Sequence, residues 1–266
     1  MLISDMTSIQ IELEMDVNAN QGKPNVAVIP TGSVEQHGPL LPLNTDTFIA
    51  EAMALELDQM ERGRLFVYPA LEYTNADSGM DFAGNLTVRH ETFRRIVRDI
   101  SESVIRQKYD ALLFLDAHAL NRAGLNEISF ELVDKSFREN RPVLIMVLGV
   151  YDFFGMIGKK YQLKIGQHAD WFERLLFRAS GGALPHVHAE SLHRCPRKKA
   201  RIPGVVGIPL SERSDRGVIG ELFDDQDTEK LESDVWRDLR ELFHQNFKQS
   251  LKDFLVRFGP VRKVMI

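Results

Sequence analysis

The sequence predicts an α/β fold, a three-layer α/β/α sandwich around a mostly parallel central sheet, and two observations predict it. Four short apolar runs are nearly continuous rather than alternating, which is the pattern of strands covered on both faces. Segments with helical spacing separate them, and strand–helix alternation builds a parallel sheet through right-handed crossovers. The chain has 266 residues, enough for a sizeable core. Without a repeat, a low-complexity tract or a linker, it reads as a single domain over 1–266, with a core at about 20–180 and a C-terminal helical extension at about 225–258.

Taken in order, the first run is NVAVIP (25–30), followed by TDTFIAEAMALELDQME, a helical pattern opened by a possible cap at Thr45. RLFVYPAL (64–71) is the second run, and TVRHETFRRIVRDISESVIRQK after it carries apolar residues at helical spacing. DALLFLDAH (110–118) and NRAGLNEISFELVDKSFREN repeat the unit, and PVLIMVLGV (142–150) is the fourth strand. Beyond it the pattern loosens. HADWFERLLFRAS (168–180) reads as a helix, 181–220 is punctuated by Gly and Pro without a period, and 225–258 reads as a long charged amphipathic helix. The apolar stretch VYDFFGMIG suits either core or a subunit contact.

Composition narrows the function classes. A net charge of -5 argues against a general nucleic-acid binder, because phosphate backbones demand a basic footprint. The basic stretch HRCPRKKAR (193–201) is read as a solvated loop. Cys195 is the single cysteine, so an intrachain disulfide is excluded and a reducing compartment fits. The N-terminus lacks the basic start and apolar centre of a signal peptide. The longest apolar stretch is broken by Asp152 and too short to span a bilayer. The expectation is a cytoplasmic protein with no membrane partner.

Strand one ends in a Gly/Pro-stiffened loop, GSVEQHGPLLPLNTDT, carrying Glu35, His37 and Asp46. A carboxylate and an imidazole two residues apart point the same way on an extended chain and suit zinc or manganese. Asp46, with two oxygens, is the natural bridge to a second ion. His118 closes strand three, at the same carboxyl rim of the sheet where α/β proteins bind ligands. His168 and Glu173 lie in the later helical segment, where His168 could reach a substrate and Glu173 could point into the site. Asn121, Asp170 and Trp171 are candidate pocket-lining residues. A histidine group at His186, His188 and His193 is read as surface or interface rather than as a second metal cluster.

The loop from Gly32 closely resembles the signature of the creatininase (creatinine amidohydrolase) family, Gly-Ser-x-Glu-x-His-Gly-Pro, then Leu-Pro, then a flanked Asp. DAHALN and HADWFERLL are similar to two later segments of that family, in the same order. The resemblance covers about residues 25–180 and implies a two-metal site with Zn and/or Mn (Fe possible), in hexamers built from dimers. It implies Glu35, His37, Asp46, His118 and Glu173 as metal ligands and His168 as the catalytic histidine. The chain departs from the pattern where two Gly become Ala119 and Leu120, and where Asp170 and Trp171 replace Gly and Glu. The implied function is metal-dependent hydrolysis of a small-molecule amide-type C–N bond, in a cyclic amide or formamide, by a metal-bound hydroxide. The alternatives are opening of a ring ketone or lactone at the same site, or an inactive metal-binding assembly protein.

Overall fold

The computed structural model describes residues 1–140, 142–186, 214 and 216–259. Four parallel strands, β1 (Val26–Thr31), β2 (Phe66–Val67), β3 (Ala111–Asp116) and β4 (Leu144–Gly149), form one sheet in the order β2-β1-β3-β4. Helices α1 (Ser8–Asn20), α3 (His90–Arg106) and α4 (Arg122–Arg138) cover one face. The other is covered by α2 (Thr45–Met60), α5 (Phe154–Tyr161), α6 (Trp171–Ala179) and α7 (Glu229–Phe258). The expected α/β/α sandwich is the observed one.

The strands explain the layers. Every residue of β1 and β3 is buried, and successive side chains point to opposite faces. Leu113 and Leu115 therefore join the cluster containing Met53, Phe172 and Phe243, while Leu112 and Phe114 join the one containing Met15, Phe93 and Ile128. A continuous apolar run is the only sequence that feeds two cores at once. Helix α7 belongs to the first cluster through Val235, Leu239, Phe243 and Phe247.

Three points differ from the sequence reading. The second strand is only Phe66–Val67, since Pro69 has no N–H for the ladder; pairing resumes through Leu71 N–H to the Pro30 carbonyl. Helix α2 is capped at Asn44 without a side-chain bond, and Thr45 is its first residue, its hydroxyl donating to the Pro42 carbonyl at 2.7 Å. His168 lies outside α6, which starts at Trp171.

Register sets up the site. Thr31 pairs with Asp116 and Asp116 with Gly149, so three neighbouring strands end level. The chain leaves β1 toward β2 on one side, while β3 and β4 lie on the other. The crevice beyond β1 and β3 is thus the switch point at which open α/β sheets bind ligands.

Candidate metal centre

Four stretches of chain meet at this crevice. The loop after β1 brings Glu35 and His37, and Gly32 makes the return possible, since a Cβ there would sit 2.3 Å from the Thr47 backbone nitrogen. Asp46 lies in the first turn of α2, where the positive end of the helix favours an anion. His118 follows β3 by two residues. His168 and Glu173 arrive through a bend in which Ala169 takes a left-handed φ of 53°. That bend folds the helix start back on itself, so the Ala169 N–H donates to the Glu173 carboxylate.

The donors form two triads, Glu35–Asp46–His118 and His37–His168–Glu173, and within each the candidate ligand atoms lie within 4.8 Å of one another. Asp46 joins them. Its Oδ1 is 3.0 Å from His37 Nε2, and its Oδ2 is 2.9 Å from His118 Nδ1, which is also 3.2 Å from Glu35 Oε2. The far ring nitrogens are held by carbonyls that can only accept. His37 Nδ1 is 2.9 Å from the Glu35 carbonyl, and His118 Nε2 is 2.9 Å from that of Asn75. Such contacts fix which nitrogen faces an ion, as around most metal-binding histidines. His168 Nε2 sits 2.8 Å from the Gln36 carbonyl and 2.9 Å from the Gln36 amide nitrogen, and its ring lies 4.6 Å from that of His37.

The electrostatics follow from burial. Burial opposes charge on both inner histidines, but the Asp46 carboxylate outweighs it, raising His37 to about 10 and His118 to about 9. Burial alone would raise Asp46 too; His37 and His118 instead hold it well below the usual carboxylate range. Glu35 and Glu173 are pushed up, chiefly by burial. Burial and then the neighbouring His37 lower His168 to about 4, so that ring is neutral at neutral pH. Three carboxylates and three imidazoles packed this closely, with protons standing between them, match the nitrogen and oxygen donor set of borderline divalent cations.

The remaining sequence candidates fall elsewhere. Asn121 donates to the Gly32 carbonyl at 3.0 Å and to Asp116 at 3.1 Å, behind the site. Asp170 caps α6, accepting from the Phe172 and Glu173 N–H groups. Trp171 is fully buried, its indole N–H donating to the Lys164 carbonyl. None of the three lines the cavity of about 420 Å³ above the donors. His186 is exposed, whereas His188, His193 and Cys195 lie outside the described residues. Sequence reasoning overlooked Ser33, whose hydroxyl donates to Asp46 at 2.8 Å, and Ser78, which donates to Glu35 at 3.3 Å. It also overlooked Tyr151 and Phe154 on the cavity wall. Only the position of Ser33 beside the Glu-x-His loop could have flagged it.

The match to a family model, Creatininase (creatinine amidohydrolase), runs over residues 13–230. The chain belongs to that family. A mycofactocin precursor peptide peptidase of Mycobacterium ulcerans (strain Agy99) is 34% identical over 105 residues, 37% of this chain. The chain thus spans 42% of that relative's length. A manganese form of creatininase superposes with a TM-score of 0.71 at 18% identity, covering 97% of this chain and 99% of the other. A Zn–Zn form of a creatininase variant gives 0.71 at 19%, covering 97% and 98%. At that identity the likeness shows the shared fold. Among the described residues, no helix is long and apolar enough to cross a membrane.

Proposed function

We propose that this creatininase-family chain is a metal-dependent hydrolase of amide-type C–N bonds. The observation that carries the reading is the pair of donor triads joined through the two oxygens of Asp46. In this reading Glu35, Asp46 and His118 would hold one cation, and His37, Glu173 and Asp46 another, two per chain. Zinc or manganese suits these donors, and iron is compatible. Bound there, such ions supply a Lewis acid for the scissile carbonyl and an activated water at neutral pH.

The chain's own residues supply the rest. Glu35 and Asp46 are steadied by the Ser78 and Ser33 hydroxyls, and the Asn75 and Glu35 carbonyls orient the two inner rings. His168 is neutral at neutral pH and borders the cavity, so it can accept a proton and return it to a leaving nitrogen. An amide needs that proton because its amine is a poor leaving group. Transfers of this kind typically contribute about a hundred- to ten-thousandfold.

The substrate expected from the family is a small cyclic amide or formamide. The likeness to a mycobacterial peptide peptidase favours a second reading, a peptide bond cleaved by the same machinery. A hexamer and a cytoplasmic location complete the proposal; light scattering of the purified protein tests the first.

Asp46→Ala tests the core assignment. Metal content by mass spectrometry and amide turnover are both expected to be lost while circular dichroism is unchanged. Two retained ions per chain would defeat the bridging role. His168→Ala is expected to keep its metal and to lose amide hydrolysis far more than hydrolysis of activated esters. Loss of metal in that variant would make His168 a ligand instead.

A further inference from the structure

The donors occupy one part of the cavity, and most of the remaining lining is apolar, including Leu120, Val150, Tyr151, Phe154, Leu176 and Ile219. Among the described residues, no lysine or arginine lines it, and every carboxylate and imidazole that does belongs to the donor triads. Arg122, beside Tyr151, is engaged, with one guanidinium nitrogen 2.6 Å from both Asp152 oxygens and Nε donating to the Tyr151 hydroxyl at 3.1 Å. Among the described residues, an anionic group against this wall would therefore meet no lysine or arginine to pair with.

Two wall residues are packed against fixed partners. The Tyr151 hydroxyl donates to the buried Asp116 carboxylate while accepting from Arg122, so that end of the ring is anchored by two partners. Phe154 packs edge-on against Phe172, with ring centroids 5.1 Å apart. Leu120 keeps 42% of its surface exposed, area that a bound apolar group would cover.

We propose that the substrate presents a neutral, apolar group to this wall, and that Leu120, Tyr151 and Phe154 select it against charged analogues. The inference rests on the amidohydrolase reading above and adds the substrate class.

The test uses two probes sharing a metal-chelating end, phenylacetohydroxamic acid and its para-carboxylate counterpart, titrated calorimetrically into the metal-loaded full chain. Because both carry the same anchor, their difference reports the wall. The neutral probe is expected to bind at least about tenfold tighter. Phe154→Ala and Leu120→Gly are expected to shrink that preference severalfold at unchanged metal content, and Leu120→Arg to restore affinity for the carboxylate probe. Equal or tighter binding of the carboxylate probe overturns the proposal, as does failure of both probes to bind. If the preference stands but no neutral amide is hydrolysed, the catalytic reading falls and the cavity selectivity survives.

Discussion

At the residue scale the proposed chemistry turns on Asp46, and its neighbours set the pH dependence expected of the site. Histidines bind cations only when their ligating nitrogen is unprotonated, and in the metal-free site His37 and His118 are raised to about 10 and about 9. Metal and proton therefore compete. Apparent affinity should climb with pH until it passes those values and should weaken steadily as pH falls. Loading at pH 7 should release protons, measured by calorimetry in buffers of different ionisation enthalpy. Uptake without proton release would mean that the inner rings are neutral beforehand. Ala169 makes a second case. Its left-handed backbone is a conformation glycine adopts without cost, whereas a β-branched side chain there is an outlier. Ala169→Gly should be neutral or stabilising by up to about 1 kcal/mol in denaturant titrations, and Ala169→Val should be destabilising. If both variants unfold alike, the bend does not constrain the fold. The Glu-x-His loop was legible because a carboxylate, an imidazole and a second carboxylate share one Gly/Pro-stiffened segment. Asn121, Asp170 and Trp171 misled as pocket residues because sequence proximity to His118 and His168 does not reveal which way a side chain turns. Asp170 is drawn to cap a helix, and Trp171 is drawn into the core.

Among the elements, β1, β3 and β4 were readable, since only a strand between two cores needs an uninterrupted apolar run. Helices α2, α3, α4 and α7 were readable from their spacing. Helix α1 was not, because Ile9, Ile11, Leu13, Met15 and Val17 recur every second residue, the period of a strand. What makes it a helix is local: the Thr7–Gln10 capping box at its start, and burial of Met15 and Asn18 in the fold. Strand β3 carries the load of positioning His118. Leu113→Ala opens a cavity in a fully buried site and should cost about 2–5 kcal/mol by chemical denaturation. The loop after β1 depends on the contact of Gly32 with Thr47, so Gly32→Ala should push α2 outward and reduce metal content. Full metal occupancy in a folded Gly32→Ala protein would show that α2 tolerates the shift.

Viewed whole, the molecule draws its candidate donors from segments more than a hundred residues apart, so the site exists only when α2 and α6 are docked beside the ends of β1 and β3. Metal that binds the native state alone must then raise the midpoint of unfolding in proportion to the logarithm of its concentration. Stripping the ions with a chelator should lower that midpoint, and scanning calorimetry should record one transition with α7 unfolding alongside the sheet. An early, separate transition for α7 would make it an appendage. The donors come from the loop after β1, the start of α2, the turn after β3, the bend before α6 and the first turn of α6; of the wall, Leu120 lies two residues past His118 and Leu176 shares α6 with Glu173, whereas Val150, Tyr151, Phe154 and Ile219 belong to connecting segments and the short helix α5. Val150, Tyr151 and Phe154 thus lie on a stretch of chain that carries none of the candidate donors. Substitutions along that stretch can therefore recut the mould while every candidate ligand stays where it is.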